Sequence, residues 1–144
     1  QEREELEELS FELQASALVD LLNRIQKSEQ NYTLVKSLPV ILPTLMFEFA
    51  EYGVDEGVKE NAKDIITPAL VSFVEYATSI APNLQDDERL NEIFGHAVWN
   101  ADQLVRLLFG ETTEPEVATI DLWENNDLQA IQERVVAWNK LLKN

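Results

Sequence analysis

The sequence predicts an all-α fold: a single domain over 1–144, built as an antiparallel bundle of about six helices. Apolar residues recur every three or four positions from end to end, and the strict alternation of a half-buried strand is scarce. Four glycines and five prolines interrupt 144 residues, so long regular elements are expected. Hydrophobic residues make up 45% of the chain, enough for a core in spite of its charge.

The first helix is expected from about Glu4 to Gln26. Leu6, Leu9, Leu13, Ala17 and Leu21 form its stripe, with Leu18, Leu22 and Ile25 to one side. Acids in its opening turns suit the positive end of the helix dipole. The second helix spans roughly Thr33 to Tyr52, with Leu34, Leu38, Ile41, Leu45, Phe49 and Tyr52 as its main stripe. Val40, Leu42, Met46 and Phe47 occupy other faces, which predicts a central position for this helix. Pro39 and Pro43 each remove a backbone donor, so they kink the helix or mark its true start. Gly53 is placed to end it in a left-handed conformation.

The third helix is expected from about Glu56 to Ile80. Val58, Ala62, Ile65, Ala69, Phe73, Ala77 and Ile80 keep one register through Pro68, which predicts a kink and not a break. The fourth has the cleanest pattern: Leu90, Phe94, Ala97, Ala101, Leu104 and Leu108, with Gly110 as its stop. Thr113-Glu114-Pro115-Glu116 has the form of a capping box and predicts a short helix to about Glu124. Asn126 and Asp127 open the last helix, whose stripe is Leu128, Ile131, Val135, Trp138 and Leu142. Short connections predict that sequential helices pack against one another in antiparallel fashion.

The Leu38-Pro39 and Leu42-Pro43 placement, followed by Val58-Lys59-Glu60-Asn61-Ala62, resembles a HEAT repeat. The resemblance covers the helix pair from Leu34 to Ile80, about a third of the chain, and implies a short HEAT-like α-α array as the alternative architecture.

Twenty-seven acids face eleven Lys or Arg residues, a formal net charge of −16. Such a field repels phosphate backbones and anionic membranes and attracts basic surfaces. The expectation is therefore no direct nucleic-acid binding, no membrane, and a basic protein surface as partner. Solubility alone is the blander account of the same charge. Absence of cysteine excludes disulfides, thiolate metal sites and cysteine nucleophiles. Together with an acidic opening unlike a signal peptide, it points to the cytoplasm.

Catalytic chemistry finds little support. The chain lacks a Gly-x-Ser-x-Gly elbow, and its four glycines fit neither nucleotide-binding pattern. Glu48, Glu51 and Asp55 are spaced three and four apart, but two carboxylates on one helix do not close a hard-cation site. The one histidine, His96, falls roughly 130° from the centre of its helix's apolar stripe. A haem ligand should point into an apolar pocket, so the globin-like outline given by Phe49-Ala50-Glu51-Tyr52-Gly53 after Pro43 is not matched at His96. No enzyme, cofactor or metal is expected.

Glu92, His96, Trp99, Gln103 and Arg106 share one side of the fourth helix. Trp and Arg are frequent interface anchors, so this side is a candidate recognition patch unless another part of the chain covers Trp99. From Glu111 to Asp127 there are six acids and no Lys or Arg; from Glu48 to Asp64, six acids against Lys59 and Lys63. Asp86, Asp87 and Glu88 lie between. If these segments converge, they make one broad negative surface. The candidate partner-binding residues are Glu92, His96, Trp99, Arg106, Glu111, Glu114, Glu116, Asp121 and Glu124. The expected function is a non-enzymatic acidic binding module: an inhibitor, immunity-type factor or adaptor, with nucleic-acid mimicry as a special case. The alternatives are a helical sensor or carrier enclosing a small apolar ligand or haem, and a fragment of a helical-repeat scaffold.

Overall fold

The architecture was analysed in a computed structural model. It describes residues 2–27, 32–52, 56–123 and 126–143, with side chains over 12–27, 33–50, 57–123 and 127–142. Among the described residues the chain is helical or irregular, without strands. The elements are α1 (Glu2–Lys27), the single turn α2 (Tyr32–Val35), α3 (Leu38–Tyr52), α4 (Glu56–Ile80), α5 (Glu88–Leu108) and α6 (Asn126–Lys143). A 3-10 turn, Ala81–Leu84, continues α4.

Local chemistry explains the boundaries. The break before α3 falls at Lys36 and Ser37, so Pro39 lies in the first turn, where its missing N–H is no loss. Pro43 and Pro68 are carried inside α3 and α4, and the helices continue through both. Asp87 caps α5, its carboxylate accepting from the Leu90 N–H at 3.1 Å. Gly110 closes α5 with φ +75°. Its N–H donates to the Leu107 carbonyl and the Glu111 N–H to the Arg106 carbonyl, the paired bonds of a Schellman motif. Gly53, expected to end the preceding helix, lies outside the described residues.

Packing follows a ring. α1 packs on α4, α4 on α5, α5 on α3, and α3 closes on α1, while α6 lies against α4 and α5. This corrects two expectations. α3 and α4 are sequential but make at most a marginal contact, so the helix pair resembling a HEAT repeat does not form as a unit packed on itself. α4, not α3, is the hub. Val40 and Phe47 of α3 are exposed, whereas Leu38, Leu42, Leu45, Met46 and Phe49 are buried. α4 instead buries Ala62, Ile66, Ala69, Leu70, Phe73, Val74 and Ala77 across a wide arc. Its Ile65, placed on the sequence-derived stripe, is exposed.

The first helix is also rotated from expectation. Ala15, Leu18, Leu22 and Ile25 are buried, and Leu13 is 64% exposed. The Leu13 register and the Leu18 register are both apolar at helical spacing, and contact with α4 selects the second. Thr33–Ala50 and Gly57–Leu84 are each long and apolar enough to cross a membrane by length and composition. Half of the second stretch is buried among other helices, as a core helix should be; the first is 28% buried, because α3 keeps one apolar face outward.

The largest departure lies between α5 and α6. The expected helix from Thr113 to about Glu124 is absent, and residues 111–123 form an irregular, largely extended strap. Thr112, Thr113, Val117, Thr119 and Ile120 are β-branched and disfavour helix, and Thr112, not Thr113, makes the local side-chain turn by accepting from the Glu114 N–H. Ile120 and Leu122 are the strap's buried anchors.

Candidate functional site

Among the described residues α5 carries three of the four buried polar side chains, the fourth being Thr67 of α4. Asn100, Asp102 and Gln103 are at most 6% exposed, in an apolar core where an unpaired polar group is costly. Each has an assigned neighbour. Asp102 faces α6, where Arg134 grips it through two bonds of 2.9 Å. Arg106 Nε lies 3.4 Å from the same carboxylate but lacks hydrogen-bond alignment. Asn100 and Gln103 face the strap.

The strap runs back along α5. At one end the Gln103 side chain accepts from the Glu116 N–H at 3.2 Å, and the Trp99 indole N–H donates to the Glu116 carbonyl at 3.1 Å. In the middle Asn100 Nδ2 donates to the Ala118 carbonyl at 3.3 Å. At the other end the Ile120 N–H reaches the Gly95 carbonyl at 3.5 Å, and Asn91 Nδ2 donates to Asp121 at 3.3 Å. Asp121 also accepts from the Trp123 N–H at 2.8 Å, turning the chain toward α6. A Cβ at Gly95 would overlap the Ile120 carbonyl oxygen, so only glycine lets the strap lie this close.

These contacts cover the expected recognition patch from within. Trp99 is half-buried and spends its indole N–H on the strap. Arg106 is half-buried beside Asp102. His96 is half-buried, with Asn100 Nδ2 3.1 Å from its Nδ1. Burial lowers the His96 pKa from its usual value, against the pull of the Glu92 charge. Glu92, Glu111, Glu114, Glu116 and Asp121 are exposed, and Glu124 lies outside the described residues.

The strap also gathers charge. Glu88, Asn91 and Glu92 from α5 and Thr119, Ile120 and Asp121 from the strap line an open cleft of about 270 Å³. At the far end of α5, Lys63 stands over the Phe109 ring and the Lys59 ammonium lies 4.0 Å from a Cβ built on Gly110. The start of α4 therefore adjoins the start of the strap, and 86–92 adjoins its end. The acids brought together are Glu88, Glu92 and Asp121, whereas the start of α4 meets the strap through its two lysines. Among the described residues no group of three His, Cys, Asp or Glu side chains is arranged to hold a metal ion.

Asn91, Gly95 and Asn100 were not singled out from sequence. Asn100 and Gln103 follow His96 and Trp99 at helical spacing, a readable polar stripe; what it binds was not readable. Compared with family models, curated proteins and solved structures, the chain matches none.

Proposed function

We propose that this protein is a non-enzymatic acidic binding module, an inhibitor, immunity-type factor or adaptor, that covers a basic surface of a partner protein. The observation that carries the reading is the strap's course along α5, which sets Asp121 beside Glu88 and Glu92. Charges from distant parts of the sequence then act as one field, which speeds association with a cationic surface and makes it salt-sensitive. A carboxylate array standing in for nucleic-acid phosphates is the special case of the same reading. The bundle itself is read as antiparallel: Phe73 and Tyr76 meet Phe94 while Lys63 meets Phe109, so numbering rises along α4 as it falls along α5.

Two charge-matched variants test the proposal. One neutralises Glu88, Glu92, Glu116 and Asp121 to Gln or Asn; the other neutralises Glu12, Asp20, Glu75 and Glu133, which are exposed on α1, α4 and α6. In pull-downs from lysate at low salt, the wild type and the second variant should retain a basic protein that raised salt releases, and the first should not. Equal loss in both variants would reduce the effect to net charge and remove the reading.

A further inference from the structure

The strap is bound to α5 chiefly through its own main chain. The carbonyls of Glu116 and Ala118 and the N–H groups of Glu116 and Ile120 account for four of its contacts, and the Gly95 notch admits a bare backbone. Such a surface recognises extended chain as such and only secondarily its sequence, as sheet edges do when they accept a strand.

The resident segment fits it incompletely. Asn100 is fully buried with its amide head at the strap, and its Oδ1 has no hydrogen-bond partner among the described residues. Among the described residues Asn91 Oδ1 is likewise buried without a partner, and the Ile120–Gly95 bond is long at 3.5 Å. Each unmet acceptor carries a desolvation cost that a better-placed peptide N–H would remove. The strap further brings Asp121 to the cleft of Glu88 and Glu92, like charge against like. A basic segment in the same place would reverse that repulsion.

We propose that the α5 face bearing Asn91, Gly95, Trp99, Asn100 and Gln103 is a receptor for an extended basic segment of a partner protein, and that residues 115–121 hold its place until it arrives. This rests on the basic-partner reading for the charge of the segment, and adds where and in what conformation that segment binds. Displacement exposes the Asn100 amide and the Gly95 notch, and leaves the place of buried Ile120 to be filled by an apolar side chain of the incoming chain.

The test uses an eight-residue peptide of alternating lysine and valine, with octalysine and a synthetic copy of residues 113–123 as comparators. The full chain is followed by NMR at low salt. The alternating peptide should shift the Trp99 indole signal and remove exchange protection from residues 116–120. Its affinity should rise about tenfold in Ile120→Ser, where the resident competitor is weakened, and vanish in Gly95→Ala, with circular dichroism showing both variants helical. Equal binding of octalysine with the strap still protected overturns the receptor and leaves the acidic-surface reading intact. Preferential binding of the 113–123 copy also overturns it, assigning the groove to a second copy of this chain. No shift with any peptide overturns it too, and the salt-dependent capture of a basic protein then decides the broader reading separately.

Discussion

Asp102 on α5, its side chain wholly removed from solvent, is held by Arg134 of α6 through two parallel hydrogen bonds of 2.9 Å. The paired geometry joins the last helix to the centre of the molecule at one fixed register. The burial is unequal: the Arg134 side chain remains 30% exposed and the carboxylate 0%.

That inequality orders the effects of mutation. Arg134→Ala strands a buried carboxylate with only the misaligned Arg106 beside it and should destabilise the fold by about 3 kcal/mol. Asp102→Asn leaves an arginine that can turn to water and should cost about half as much. Urea denaturation of both variants checks the order; a larger loss in Asp102→Asn would contradict it.

Gly95→Ala tests the strap from the opposite side. Alanine is the better helix former, so an uncovered α5 would gain about 1 kcal/mol. Here the new methyl collides with the Ile120 backbone oxygen, and a net loss of about 1–3 kcal/mol is expected, with α5 itself intact. Thermal denaturation gives the sign directly.

His96 predicts a pH dependence. Its folded pKa lies below the ordinary 6.5, so the unfolded chain takes up the proton first as pH falls. Its contribution to stability is complete above 6.5 and is lost as pH drops from there through the lowered folded value. His96→Gln should flatten that part of the stability profile, measured by urea titration at successive pH values.

The two faces of α3 should respond differently. Leu42→Ala or Met46→Ala opens a cavity at a fully buried position and should cost about 2–5 kcal/mol. Val40→Thr and Phe47→Gln alter exposed positions and should stay within about 0.5 kcal/mol. A large loss from Phe47→Gln would restore the central placement that the sequence alone suggested for this helix.

Helix periodicity made much of the architecture legible. The stripes of α5 and α6 are buried much as their spacing implied, because each offers one unambiguous apolar face, and the Gly110 stop follows from its left-handed backbone. In α1 and α3 two apolar registers coexist, and only the neighbours decide which one is covered. The strap departs from its local pattern for a different reason. Thr113-Glu114-Pro115-Glu116 carries a helix-start pattern, but its extended course depends on Asn100 and Gln103, side chains from another element whose meeting with the strap no local window contains. The side of α5 expected to bear a recognition patch, around Trp99, is covered by the strap.

The candidate site, the proposed function and the peptide-receptor inference all depend on residues 115–121 lying against α5 in solution. Nuclear Overhauser contacts between Gly95 and Ile120, recorded with the exchange rate of the Trp99 indole proton, test that most directly. The account predicts strong contacts and a protected indole. Absent contacts, with strap amides exchanging as fast as those of a free peptide, would contradict it.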